Sequence, residues 1–422
     1  MSAAATVVGV DPTVYERRWK ILGVLCLSLI VIMVANSSLN TALPALADDL
    51  HASSSALQWM VDSYSLVFAG LLFTAGTLGD RFGRKRALQF GMTVFLVAAI
   101  AASLSNSAGG VIAWRAVMGL GAAFVMPSTL SLLTNVFPPH ERPRAIATWA
   151  GVAGGGAAFG PPLSGFLVEH FWWGSVFLIN VPLLVIALVA GRFMLPESAD
   201  PEQANVDVGG AALSIVAIGL AVFAIIEAPT HGWLSATTLG TLGGAAVATL
   251  AFMAWEKRRA YPMFDMALLR DRRFAIAGAV IALCFFAMFG VMFVMTQYLQ
   301  LVLRYSAFGA GLLMLPMPML MMIVAPQAPK LAGRFGVART VPIGLGLVAV
   351  GLMALTILDA RSPGWMLYLG MIPMMVGMAS TMSPCTALIM SSVPATRAGM
   401  GSAANDTTRE LGGALGVAVL GS

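Results

Sequence analysis

Charged residues are scarce in this sequence. Only 10% of its 422 residues are Asp, Glu, Lys or Arg, and 59% are hydrophobic. A soluble globular domain carries about 25% charged residues. No long polar or low-complexity segment interrupts this composition. The composition excludes an ordinary soluble domain and predicts an all-α protein that crosses a lipid bilayer many times.

Cysteine and histidine are also few. Cys26, Cys284 and Cys385 lie far apart in apolar runs, which favours neither a disulfide framework nor a zinc site. The four histidines lie at or beside the ends of apolar runs, without the spacing of a metal site. The sequence contains no Walker-type phosphate loop and no cluster of acid, base and nucleophile. We therefore expect no cofactor, no metal, no use of ATP and no enzymatic activity.

Long apolar runs make up most of the chain. A bilayer crossing needs about 20 mostly apolar residues, and twelve runs meet this requirement. They lie at about 21–43, 57–78, 88–104, 109–133, 145–168, 175–195, 209–227, 236–255, 274–301, 309–331, 340–358 and 365–390. A thirteenth run begins near Gly401. We expect this last run to be too short to cross, which would leave the fold truncated at its C-terminus.

Basic residues are divided unevenly between the two sides of these spans. With the N-terminus inside, the inner segments hold 21 of the 24 basic residues, and we place Arg409 among them. The outer loops hold two, Arg304 and Arg361, and Arg115 is the one that we place inside a span. Cytoplasmic loops of membrane proteins are enriched in Lys and Arg. The pattern predicts a cytoplasmic N-terminus and explains the net charge of +5 without a nucleic-acid partner.

Two segments of the chain repeat each other. The string LGDRFG at 78–83 resembles LAGRFG at 331–336, and the pair Pro127 and Pro138 resembles Pro384 and Pro394. The first of these echoes is shifted by eight spans, whereas a plain six-plus-six duplication would shift it by six. We therefore predict a six-helix bundle at 1–200, two extra central helices at 201–260, and an incomplete second bundle at 261–422.

Three longer strings carry a family resemblance. They are GTLGDRFGRKR from Gly76 to Arg86, VIAWRAVMGLGAA from Val111 to Ala123, and GVAGGGAAFGPPLSG from Gly151 to Gly165. In this order they resemble the loop, fourth-span and fifth-span motifs of the major facilitator superfamily. With two extra central spans, the chain is similar to the fourteen-span drug:proton antiporter branch (EmrB/QacA-type). The resemblance implies a multi-pass transporter of the bacterial inner membrane.

The resemblance also assigns roles to two of the strings. It implies a gating latch at the inner face, which we call the inner latch, formed by Gly76, Gly79, Asp80, Arg81, Gly83 and Arg84. It implies an antiporter motif that seals the cavity, formed by Gly156, Gly160, Pro161 and Gly165. The alternatives are a basic loop that only fixes orientation and a glycine face that only allows close packing.

The chain departs from the family pattern at several positions. Ala35 occupies the place where the branch usually carries a span-one Asp, and Met118, Ser164 and Gly174 replace the usual Gln, Gly and Arg. The missing Asp leaves the proton carrier open. Asp62 and Arg115 each lie about six residues from the outer end of their spans, at similar depth on the order of 9 Å. We therefore expect Asp62 to carry the proton and Arg115 to control its affinity, the alternative being an interfacial aspartate at a helix start.

Polar side chains in other spans suggest a substrate cavity. Its candidate residues are Asn36, Asn40, Gln297 and Gln300, each of which could instead join neighbouring helices. Glu227, near the outer end of span seven, is interpreted as an interfacial loop residue.

The predicted function is proton-coupled export of hydrophobic, cationic drugs by a monomer. Export of an endogenous lipid or metabolite is an alternative with the same fold. A truncated membrane protein without transport activity is the other.

Overall fold

Within the residues that the structure describes, thirteen helical rods follow one another. The computed structural model describes residues 12–138, 141–199, 207–259, 268–393 and 398–421, so Pro394 of the predicted repeat lies outside the described residues. The rods are α1 (Pro12–Leu50), α2 (Ser54–Phe82), α3 (Arg84–Ser103), α4 (Ala108–Val136), α5 (Arg142–His170), α6 (Ser175–Leu178 with Asn180–Met194), α7 (Val208–His231), α8 (Ala236–Arg258), α9 (Arg272–Gln297 with Tyr298–Val302), α10 (Ala307–Met314, Pro316–Val324 and Ala328–Phe335), α11 (Val337–Leu355), α12 (Leu367–Ser391) and α13 (Ala398–Gly421).

Serine caps mark one end of this bundle. Ser53, Ser107, Ser235 and Ser306 each accept a hydrogen bond from a backbone N–H in the first turn of α2, α4, α8 and α10. A serine at this position satisfies an N–H that has no partner within the helix. We call this end of the bundle the outer end, and the end where α1 begins and α2 finishes the inner end.

Most of the rods are long and apolar enough to cross a membrane. Ten pass a test of length and hydropathy among the described residues, and α2 is an eleventh when its bent parts, Ser54–Leu72 and Thr74–Phe82, are taken as one span. The glycine-rich α5 and the charge-bearing α13 are not among them. At 24 residues, α13 is about 36 Å long, enough for a hydrocarbon core of about 30 Å. The helix is therefore longer than expected from the sequence, while the expectation that this segment does not cross the membrane stays a prediction.

Helix pairing repeats at a shift of eight helices. In the first half α1 packs on α5 and α3 on α4, and in the second half α9 packs on α13 and α11 on α12. The pairing of α2 with α4 likewise recurs between α10 and α12. This arrangement agrees with a duplicated design, although the residue boundaries at 200 and 260 stay a prediction.

The hairpin formed by α7 and α8 packs against α2. Glu227 of α7 accepts hydrogen bonds from Ser55 Oγ at 2.6 Å and from Trp59 Nε1 at 3.2 Å, both on α2. Further inward, Ser214 Oγ donates to the carbonyl oxygen of Gly70 at 3.4 Å. Glu227 therefore joins two helices, which its interpretation as a loop residue did not anticipate.

Candidate transport site and gates

The inner latch forms a tight turn between α2 and α3. Gly83 has φ +118°, a conformation that side-chain-bearing residues rarely adopt, and its N–H bonds the carbonyl of Gly79 at 3.0 Å. Asp80 Oδ1 accepts from Arg84 Nε at 2.6 Å and from Ser131 Oγ of α4 at 3.2 Å. The sequence motif thus places a carboxylate where it ties the turn to a third helix.

The other latch residues support this turn in different ways. A Cβ on Gly79 would lie 3.1 Å from Ala87 Cβ, so glycine permits the close approach of α3. A Cβ on Gly76 would be in ordinary contact with Pro127 Cβ at 3.5 Å, and the Arg81 guanidinium lies 5.3 Å from the centre of the Phe82 ring. All six predicted residues therefore lie at one junction, while their gating role stays a prediction.

The glycine face of α5 packs on α1. A Cβ on Gly156 would lie 3.3 Å from Met33 Cβ, and one on Gly160 would overlap Ser37. Ser38 Oγ donates to the Gly160 carbonyl at 3.2 Å, and Ser164 Oγ donates to the Ser38 carbonyl at 2.7 Å. Ser164, which departs from the family pattern, adds a hydrogen bond to this close contact.

The outer half of α5 meets the second bundle. A Cβ on Gly165 would lie 2.6 Å from Phe308 Cα, and one on Gly311 would lie 2.6 Å from the carbonyl oxygen of Pro161. The Phe308 N–H donates to Glu169 Oε1 at 2.7 Å. The predicted antiporter motif therefore forms two successive contacts, with α1 in its own bundle and with α10 across the bundle interface.

Asp62 and Arg115 are both fully buried. Arg115 Nε donates to the Met60 carbonyl at 3.0 Å, and its guanidinium lies 4.4 Å from the centre of the Tyr64 ring. Since Met60 and Tyr64 flank Asp62 along α2, the two charged residues lie at the same level. They are not paired, however, because neither Asp62 carboxyl oxygen has a hydrogen-bond partner and both terminal nitrogens of Arg115 also lack one.

Charged residues in the middle of α13 are the part of the site that sequence reasoning missed. Glu410 hydrogen-bonds Ser65 of α2 and interacts electrostatically with Arg115. Arg409 lies in the same turn, with Nη1 at 3.7 Å from Asp406 Oδ1. Arg409 therefore lies halfway along α13, inside the bundle and not in an inner loop, so its predicted placement was wrong. The string NDTTRE at 405–410, inside an otherwise apolar run, was the available signal.

A hydrogen-bonded chain connects these charges to α12. Arg409 Nη2 donates to Thr386 Oγ1 at 3.5 Å, and Thr386 Oγ1 donates to Asn405 Oδ1 at 3.1 Å. Asn405 Nδ2 in turn donates to Asp406 Oδ1 at 3.3 Å. Ionisable residues inside membrane helices usually face a bundle interior and mark a functional path.

The predicted cavity residues do not come together at one site. Gln300 Nε2 of α9 donates to the Thr41 carbonyl of α1 at 3.2 Å, which fits the alternative of an interhelical contact. Gln297 Nε2 donates to the Phe293 carbonyl of its own helix at 3.4 Å. Asn40 is 3% exposed and its Oδ1 has no hydrogen-bond partner, whereas Asn36 is half-buried. Their role in binding substrate stays a prediction.

Comparison with known proteins gives the chain a family. The model of the Major Facilitator Superfamily matches residues 25–417. Multidrug resistance protein Stp of Mycobacterium tuberculosis is 36% identical over 94% of this chain and 74% of its own length. Multidrug efflux pump LfrA of Mycolicibacterium smegmatis is 38% identical, over 96% and 81%. Methyl viologen resistance protein SmvA of Salmonella typhimurium is 34% identical, over 96% and 82%.

Solved structures share the fold at low sequence identity. A D-xylose-proton symporter matches with a TM-score of 0.66 at 15% identity, over 94% of this chain and 88% of the other. A peptide transporter in complex with sulfate matches with a TM-score of 0.68 at 17% identity, over 94% and 87%. The family model, the relatives and the shared fold confirm the resemblance seen in the motifs, and the chain belongs to the Major Facilitator Superfamily.

Proposed function

We propose that this protein exports hydrophobic, cationic drugs from a bacterial cell in exchange for protons. It does so as a monomer of the inner membrane with a cytoplasmic N-terminus. Its relatives carry names of multidrug resistance and efflux, and one is named for resistance to methyl viologen, a dication. The uneven division of basic residues supports the orientation.

The observation that carries this proposal is the contact of α13 with α2 through Glu410. This carboxyl group bonds Ser65 and lies in the field of Arg115, so one ionisable group joins the two bundles in the middle of the membrane. Transporters of this type work by movement of one bundle against the other around such a midplane site. A charge change at Glu410 therefore acts on the interface that has to open.

Ionised Glu410 attracts Arg115 and accepts a hydrogen bond, and both interactions hold α13 against α2. Protonation removes the negative charge and weakens this attraction, so the two helices separate more readily. Proton binding is in this way coupled to the movement of the bundles.

Asp62 is the second proton carrier in this proposal. Its carboxyl group is fully buried and has no hydrogen-bond partner or ion pair. An unpaired carboxylate at such a place costs several kcal/mol, so Asp62 holds a proton in this conformation. Separation of α2 from α13 admits water and allows that proton to leave.

The test measures ethidium transport and proton movement in inverted membrane vesicles. We expect Asp62→Asn and Glu410→Gln each to lower proton-driven ethidium transport by at least about tenfold, equivalent to about 1.4 kcal/mol, at unchanged protein levels. Asp49→Asn is the matched control because Asp49 is exposed at the outer end of α1. A protonophore should abolish wild-type transport.

Two results would contradict the proposal. Wild-type vesicles that move no more ethidium than empty ones would count against export of such cations. Full proton coupling in both carboxyl variants would leave export in place but remove Asp62 and Glu410 as proton carriers.

A further inference from the structure

An open groove lies between α3 and α6 on the membrane-facing flank. Its volume is about 300 Å³, and it is lined by Gln89, Thr93, Leu188, Val189, Arg192 and Phe193. Arg192 lies in the last turn of α6, at the inner end, and Gln89 lies about 8 Å along α3 from its first residue. The groove therefore runs from the inner membrane surface into the hydrocarbon region.

The inner end of the groove is positively charged and has a hydrogen-bond donor without a partner. Arg192 is exposed, and its backbone carbonyl accepts a hydrogen bond from Lys85 Nζ at 2.8 Å, which brings a second cation to the same end. Gln89 adds an amide nitrogen that is buried without a hydrogen-bond acceptor. The nearby carboxylate, Glu197, is already engaged by Arg86 at 3.5 Å and by the Lys85 N–H at 3.2 Å.

One wall of the groove is apolar and open to lipid. Val189 is 54% exposed and Phe193 is 80% exposed. On α3, the Thr93 hydroxyl is occupied by the Gln89 carbonyl at 2.8 Å, which leaves mainly its methyl group toward the groove. An occupant must therefore combine an anionic head with a hydrocarbon chain.

We propose that this groove binds an anionic phospholipid of the inner leaflet. The phosphate lies against Arg192 and Gln89, and an acyl chain runs along Val189 and Phe193. Basic pockets between membrane helices on the cytoplasmic side recognise anionic lipid headgroups by this combination of charge and depth. The proposal concerns a lipid that stays bound and is independent of which compound the protein transports.

The experiment titrates the purified full chain in detergent with dioleoylphosphatidylglycerol and dioleoylphosphatidylcholine, and counts bound lipid by native mass spectrometry. We expect a preference for phosphatidylglycerol that Arg192→Gln lowers about fivefold, equivalent to about 1 kcal/mol for one basic residue. Arg272→Gln is the matched control, since it removes an exposed charge at the inner end of α9.

A second pair of variants tests the groove without changing its charge. Thr93→Trp fills the groove and should also lower phosphatidylglycerol binding, whereas Val97→Trp, one turn further along α3 and 56% exposed, should not. Equal binding of the two lipids by the wild type, equal losses in Arg192→Gln and Arg272→Gln, or equal losses in the two tryptophan variants would each overturn the proposal. Displacement of the lipid by millimolar inorganic phosphate alone would point to a free-anion site instead.

Discussion

The turn after α2 and the turn after α10 have nearly the same backbone and different chemistry. Each ends in a glycine with positive φ, Gly83 at +118° and Gly336 at +80°, whose N–H bonds a carbonyl four residues earlier. In each, an arginine lies beside the following phenylalanine ring, at 5.3 Å for Arg81 and 5.5 Å for Arg334. The duplicated feature is therefore the shape of the turn.

The electrostatic contact belongs to the first turn alone. Asp80 aligns with Gly333, and a Cβ at Gly333 would meet nothing within 4 Å. Ser131, which donates to Asp80, lies four residues after Pro127, and the residue four after Pro384 is Leu388. The second half thus lacks both the carboxylate and its hydroxyl partner, which indicates that the ion pair at this turn is a feature of the first bundle.

The largest expected effect comes from adding a side chain to the turn glycines. Gly83→Ala places a methyl group in a conformation that costs about 1–3 kcal/mol, and its Cβ would lie 2.7 Å from Glu197 Oε1. Gly336→Ala carries the backbone strain without a steric contact. We expect a larger fall in the thermal unfolding temperature for Gly83→Ala in detergent, because the Glu197 carboxylate has to move and give up its hydrogen bond from the Lys85 N–H. Equal falls would show that Glu197 adds no constraint.

A smaller effect is expected from Asp80. Asp80→Asn removes the charge that binds Arg84, and we expect ethidium export to fall about tenfold, equivalent to about 1.4 kcal/mol, with normal membrane levels. Gly333→Ala, at the aligned position, should leave export unchanged because space is available there. If the two variants export alike, the proposed difference between the turns has no functional meaning.

The smallest effect should come from Ser131. Ser131→Ala removes one hydrogen bond to Asp80, with a net contribution of about 0.5–1.5 kcal/mol, so we expect export to fall about threefold. In a double variant with Asp80→Ala, the serine change should cost nothing further, because position 80 then has no side-chain acceptor. Independent, additive losses would show that Ser131 acts elsewhere.

Much of the fold could be predicted because hydropathy and charge report directly on membrane crossing. The inner latch was also accessible, since its residues are contiguous and its turn needs glycine at position 83. The middle of α13 was not, because the charges at Asp406, Arg409 and Glu410 made this helix look unlike the apolar helices before it.

Contacts between distant helices could not be predicted either. Glu410 and Ser65 are 345 positions apart in the sequence. The apolar periodicity of a helix does not indicate which other helix its polar residues will contact. The hydrogen bond from Ser164 to Ser38 is of the same kind, because it depends on how closely α5 and α1 approach. The depth predicted from the sequence put Asp62 and Arg115 at one level in the membrane. Depth alone could not show that the two side chains are unpaired.

The hairpin of α7 and α8 makes the two interfaces between the bundles unequal on their lipid-facing sides. Two seams separate the bundles, one between α2 and α13 and one between α5 and α10. Val222 and Ile226 of α7 pack with Ala414 and Ala418 of α13, while Glu227 binds α2, so the hairpin covers the first seam from the lipid side. At the second, Phe166 packs on Phe308 and is 42% exposed. A pseudo-symmetric pair of bundles thereby becomes one-sided, because α7 shields the first seam whereas the second seam exposes Phe166 on the lipid side.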